Sequence, residues 1–237
     1  MKKVLVVLAM VALVAAAQAV TITDDFQSYA TGGADVTADT GGVWTQRSTA
    51  GSTGVRTDGS NQWLGIYGGA ATGAYAVLDQ AVYGGSMTLE FDMSQNSTST
   101  DASFGLSTNR TNSWSSFAAY VGMNGTSFKA RNSGSNLTVA TIEAGTVYRV
   151  LLDVDVTAGM YDVYLDGVQV ATDFGFRSSA LPIDSLVFLS NRSTSDGVNA
   201  VTEADMVNID NIAYTVVPEP ATMALLGLGG LLLRRKK

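Results

Sequence analysis

Between Val20 and Val217 the chain runs in short stretches of alternating apolar and polar residues, separated by clusters of Thr, Ser, Gly, Asn and Asp. A period of two is that of a strand with one dry face and one wet face. In SMTLEFDMS, Met87, Leu89, Phe91 and Met93 alternate with Thr88, Glu90, Asp92 and Ser94. TVYRVLLDVDV places Tyr148, Val150, Leu152 and Val154 on one face and Arg149, Asp153 and Asp155 on the other. In YDVYLDGVQVA, Asp166-Gly167 is a two-residue hairpin turn that needs positive φ at both positions. That turn sets Leu165 opposite Val168 and Val163 opposite Val170, with all four on one side. QWLGIY, SFAAYVGM, SFKAR, NLTVATI, IDSLVFLS and the closing MVNIDNIAYTVV read as further strands. No three-turn amphipathic helix and no repeat of fixed period interrupts them, so the pattern predicts an all-β fold, two antiparallel sheets packed as a sandwich.

Both ends depart from this pattern. Lys2 and Lys3, an apolar stretch from Val4 to Ala17 and the small-x-small triplet Ala17-Gln18-Ala19 read as a signal peptide over 1–19, an apolar helix cut after Ala19. The sandwich domain then occupies 20–216, and 217–237 is a tail reading VPEPATMALLGLGGLLLRRKK. Its segment 221–233 is uncharged; as a helix it would extend roughly 20 Å, against a hydrocarbon core of roughly 30 Å. It is a marginal span, weakened by Gly227, Gly229 and Gly230. Arg234, Arg235, Lys236 and Lys237 would stay cytoplasmic by the positive-inside bias, which places the preceding domain on the outer side.

With the ends set aside, residues 20–217 hold eight cations against twenty carboxylates, a net charge of −12. Such a surface repels phosphates, which argues against nucleic-acid binding. The chain has no Cys and no His. Thiolate nucleophiles, imidazole acid–base catalysis and zinc sites with Cys or His ligands are therefore excluded, and carboxylate chemistry remains.

Pro218-Glu219-Pro220, a short Leu/Gly/Ala-rich segment and a terminal basic cluster together resemble the PEP-CTERM sorting signal of exopolysaccharide-producing Gram-negative bacteria. The resemblance implies recognition in the inner membrane by an exosortase, cleavage near the motif, and transfer to the cell surface or extracellular matrix. Signal peptidase would process the other end. The opening DDFQSYATG, the hairpin YDVYLDGVQVATDF and the ending NIDNIAY are similar, more loosely, to the concanavalin A-like lectin/glucanase jelly rolls, above all the laminin-G-like exported domains. That likeness implies a fold and leaves function open.

Three functions stay open for the domain. A jelly-roll glycoside hydrolase needs paired carboxylates about 5 Å apart on one strand face. Glu90 and Asp92 share a face, but Gln95 stands where that family's second Glu is expected and cannot carry a proton; the expectation is a non-enzyme. A glycan-binding module needs aromatic platforms, and Trp44, Trp63 and Trp114 are the candidates, with exopolysaccharide as the partner. No cofactor is required. Calcium is the one candidate, with Asp24, Asp25 and Asp210 as its ligands because the first and last strands of such sandwiches lie side by side. The third reading is a structural or adhesive matrix component whose Ser/Thr/Gly/Asn loops meet polysaccharide without a defined site.

Overall fold

The computed structural model describes residues 19–32, 35–47, 51–68, 72–108, 114–190 and 203–217. After β1 (Val20–Asp24) come a single helical turn, α1 (Val36–Asp39), and the strands β2 (Thr45–Gln46), β3 (Gly51–Thr57), β4 (Gln62–Gly68) and β5 (Thr72–Val82). Next are β6 (Ser86–Gln95), β7 (Asp101–Ser107), β8 (Phe117–Asn124), β9 (Ser127–Asn132) and β10 (Ser135–Thr141). The series closes with β11 (Tyr148–Asp155), β12 (Met160–Leu165), β13 (Val168–Gly175), β14 (Ile183–Ser190) and β15 (Val207–Val217).

These strands form two antiparallel sheets, as the alternation predicts. The first runs β13-β12-β11-β6-β15-β4-β3, with β1 beside β15 as well, and the second runs β10-β9-β8-β7-β14-β5-β2. β15 is central to the first sheet: β6 flanks one side, and β4 and β1 share the other. The expected adjacency of first and last strands is present, with Val20 opposite Val216 and Asp24 opposite Ile212.

The core is the set of residues that the period of two points inward. Met87, Leu89, Phe91 and Met93 are buried, as are Val150, Leu152 and Val154 from β11. Phe26, Trp44, Phe91, Phe104 and Phe188 form an aromatic chain between the sheets, with neighbouring centroids 5.3–5.9 Å apart. Burying a side chain of this size contributes about 2–3 kcal/mol. Tyr161 of β12 reaches across, its hydroxyl accepting from the Arg131 N–H of β9 at 3.1 Å, and burial pushes its ionisation well above the usual range.

The Asp166-Gly167 turn has φ of +50° and +77°, and Leu165 faces Val168. Beyond it the expected register fails. Val163 lies opposite Ala171, not Val170, because the ladder shifts on both sides of Val163, and Val168 is 64% exposed. β7 and β8 carry no strict alternation because both of their faces are covered, and strands of that kind read as continuous runs; β5 is covered so only in its first part, and its Val77, Asp79 and Gln80 are exposed. Glycine lets these strands pack closely: a Cβ at Gly73 would lie 2.1 Å from the Phe188 carbonyl, and one at Gly122 would lie 2.4 Å from that of Ala102.

Among the described residues no helix is long and apolar enough to cross a membrane. Ala17, the motif Pro218-Glu219-Pro220, the segment 221–233 and the cations Arg234 to Lys237 lie outside the described residues, whereas Ala19 is exposed just before β1.

Candidate functional site

The polar face of β6 and the wet edge of β15 meet on the outer side of the first sheet. Asp92 and Asp210 are direct cross-strand partners, a placement that sets Cβ atoms about 5 Å apart. The β15 ladder then shifts between Asp210 and Ala213, and Asn211 takes φ +48°, a conformation that Asn tolerates better than most residues. This bulge aims Asn211 back at the pair. Its Nδ2 donates to Asp92 Oδ2 at 2.8 Å and its backbone N–H to Asp210 Oδ1 at 2.7 Å. Asn61 Nδ2 donates to the other Asp210 oxygen at 2.9 Å, and Gln27 Nε2 donates to Asn61 Oδ1 at 2.7 Å.

On the far side of Asp92, Arg149 bridges the two carboxylates of β6, with Nε 2.7 Å from Glu90 and Nη1 3.0 Å from Asp92. The bond to Glu90 is the main cause that raises the proton affinity of Arg149. Asp210 is different. Burial first, then the charges of Asp92 and Asp25, push its carboxyl above the ordinary range, against the bonds from Asn61 and Asn211 that lower it.

Asn61, Asp92, Asp210 and Asn211 border a hollow of about 360 Å³ that Trp63, Ser94, Val147 and Asn208 complete. Asn208 Nδ2 donates to Ser94 Oγ at 3.1 Å and to Asn96 Oδ1 at 2.9 Å. Two polar atoms here are buried with no hydrogen-bond partner, the Trp63 indole N–H and Asn208 Oδ1. A buried donor and a buried acceptor left unpaired beside one hollow are costly unless something else meets them.

The sequence-predicted residues separate. Trp63 and Asp210 come together in this hollow. Trp114 lies in the other sheet's outer cluster with Phe117, Tyr120, Val187 and Leu189. Trp44 is corrected from glycan platform to core residue: it is 2% exposed, its N–H donates to the Thr40 hydroxyl at 3.0 Å, and its indole Nε1 donates to Asp24 Oδ2 at 2.8 Å. Asp24 is committed in the same way, because Tyr29 donates to it at 2.9 Å and the Phe26 N–H at 3.0 Å. Asp25 is exposed and caps Gln27. The calcium set Asp24, Asp25 and Asp210 is thus divided, and among the described residues no group of three or more Asp or Glu side chains is placed to hold a metal ion. Gln95 faces the interior, with Nε2 donating to the Gly125 carbonyl at 2.8 Å and Oε1 accepting from Thr100. It does not share a face with Glu90. Asn61, Asn208 and Asn211 were missed in the sequence, where Asn reads as turn chemistry; the adjacent NIDN, polar on both sides of a strand position, was the available signal.

Residues 216–237 match the PEP-CTERM protein-sorting motif. No curated protein matches the chain. Among solved structures, a sialidase superposes with a TM-score of 0.58 at 14% identity, covering 82% of this chain and 18% of the sialidase. The chain therefore spans under a fifth of that protein's length. The cellulose-induced protein Cip1 superposes with a TM-score of 0.55 at 15% identity, covering 81% of this chain and 96% of Cip1. At such identities the likeness shows the sandwich fold alone. The protein is a two-sheet antiparallel β-sandwich that ends in a PEP-CTERM sorting motif, and the motif implies export, exosortase processing and sorting to the cell surface.

Proposed function

We propose that the chain is a non-enzymatic glycan-binding protein of a Gram-negative bacterium's surface or extracellular matrix. Signal peptidase and an exosortase process it during a transient stay at the inner membrane, and the hollow around Trp63 then holds exopolysaccharide. One observation carries the reading: Trp63 Nε1 and Asn208 Oδ1 are buried, unpaired and opposite in hydrogen-bonding sense beside the same hollow. A sugar hydroxyl both accepts and donates, so the hydroxyls of a glycan suit a donor and an acceptor alike. Val147, 63% exposed at the rim, offers an apolar surface for a sugar ring's C–H face. Asp92 and Asp210 repel anionic sugars, so the ligand favoured here is a neutral glycan.

The carboxylates support binding over catalysis because each oxygen already accepts from Arg149, Asn211 or Asn61. One observation favours hydrolysis as a second reading: Asp210, with its raised proton affinity, sits directly across from Asp92 in the manner of an acid beside a charged partner. The test is binding of the full chain to the producing organism's polysaccharides and to standard neutral glucans, with release of reducing ends followed in parallel. Saturable binding that falls in Trp63→Ala and Asn208→Ala, without new reducing ends, supports the binding reading. Reducing ends that vanish in Asp210→Asn would replace it with hydrolysis. No binding by a folded chain would leave a structural matrix role.

A further inference from the structure

On the second sheet's outer side, β7, β8, β9 and β10 border a separate hollow of about 370 Å³, lined by Ser103, Trp114, Tyr120, Asn124, Lys129 and Asn136 among others. Its electrostatics are opposite to those of the first hollow. Three of the eight cations in residues 20–217 gather here, although carboxylates outnumber cations more than twofold over that stretch. Lys129 lines the hollow. The Arg177 guanidinium lies 3.5 Å from the Trp114 ring centroid, and that of Arg131 lies 5.1 Å from it. Among the described residues none of the three is in an ion pair. Asp101, a carboxylate in the lining, accepts from Asn124 Nδ2 at 3.2 Å.

The arrangement is fixed before any ligand arrives. Arg131 donates to the carbonyls of Ser133 at 2.9 Å and Gly134 at 2.7 Å and to Asn136 Oδ1 at 3.2 Å, and Tyr120 donates to that same oxygen at 2.7 Å. Arg177 Nη1 is buried and has no partner. Burial, then the neighbouring charge of Arg131, lowers the proton affinity of Arg177, as expected for guanidinium groups crowded together without a counter-charge. Clustered cations of this kind gain most from an anion that brings charge-assisted hydrogen bonds.

We propose that this hollow is a second glycan site, for a carboxylate-bearing sugar of an acidic polysaccharide. Trp114 and Tyr120 supply the apolar platform, Ser103, Asn124 and Asn136 meet hydroxyls, and Lys129, the cation in the lining, meets the carboxylate, with Arg131 and Arg177 beside Trp114 adding positive potential. The test is binding of the full chain to immobilised polygalacturonate, alginate and hyaluronate, with methyl-esterified polygalacturonate as the uncharged control. Expected is saturable binding to at least one acidic polymer, weakened about fivefold or more by Lys129→Gln, by Arg177→Gln and by raising salt to about 0.5 M, and unchanged in Trp63→Ala. Urea midpoints near that of the unaltered chain show that both charge variants remain folded. Equal binding to the ester, indifference to Lys129→Gln, or no binding to any of the three acidic polymers overturns the proposal.

Discussion

Asp24 looks like a metal ligand in the sequence and acts as a fastener in the structure, so its removal separates the two roles. Its carboxylate accepts from the Trp44 indole at 2.8 Å, the Tyr29 hydroxyl at 2.9 Å and the Phe26 N–H at 3.0 Å. The last bond holds Phe26 at φ +59°, a conformation that non-glycine residues adopt at a cost. Asp24→Ala strands all three donors, one of them on a tryptophan that is 2% exposed. At about 1–3 kcal/mol for each buried donor left unpaired, with partial relief by water at the half-buried Tyr29, the loss is about 3–5 kcal/mol. That is a large share of the roughly 5–15 kcal/mol available to a domain. Asp24→Asn keeps one carbonyl oxygen and should lose about 1–2 kcal/mol, and Tyr29→Phe about 1 kcal/mol. Urea unfolding followed by tryptophan fluorescence, with calcium and with chelator, reads all three. A loss under about 1 kcal/mol for Asp24→Ala, or a stability that calcium raises in the unaltered chain and not in the variant, would refute the reasoning.

Other expectations follow from the site and the tail. The folded chain binds the Asp210 proton more tightly than the unfolded chain, so stability should fall as pH rises from the ordinary carboxylate value, about 3.9, through the raised one. Asp210→Asn should therefore flatten this pH dependence, read from urea midpoints between about pH 4 and neutral. Gln95→Glu restores a carboxyl to the position a jelly-roll hydrolase would use, but sets it against the Gly125 carbonyl in the core. It should cost about 2 kcal/mol or more and create no hydrolysis. Trp63→Ala should weaken neutral-glycan binding about tenfold while the fold survives, measured by affinity electrophoresis and circular dichroism. Replacing Pro218, Glu219 and Pro220 with Ala should leave the chain unprocessed at the membrane, visible by fractionation.

The alternation in β6 and β11 was legible because one face of each is buried and the other wet, and the Asp166-Gly167 turn because few other dipeptides take positive φ twice. β7 was not, since burial on both faces erases the period of two, whereas the equally covered β8 and β14 could still be read as apolar runs of strand length. The site was half legible. Trp63 and Asp210 could be named singly, but their meeting depends on β15 lying between β6 and β4, a long-range pairing that local pattern does not encode. Trp44 and Asp24 misled for one reason: each presents a polar group usually seen at surfaces, and here each satisfies the other beneath it.

The position of β15 also bears on mechanics. The strand that carries Asn208, Asp210 and Asn211 runs on to Val217, within the span where the sorting motif begins. If the chain is held by that end while a polysaccharide pulls on the hollow, the load path is a single strand. Tension along β15 meets hydrogen-bonded neighbours on both flanks, β6 on one and β4 and β1 on the other, which share the force in shear instead of unzipping one bond at a time. Such a tether would hold firmly under drag, with the grip and the anchor at two points of one taut line.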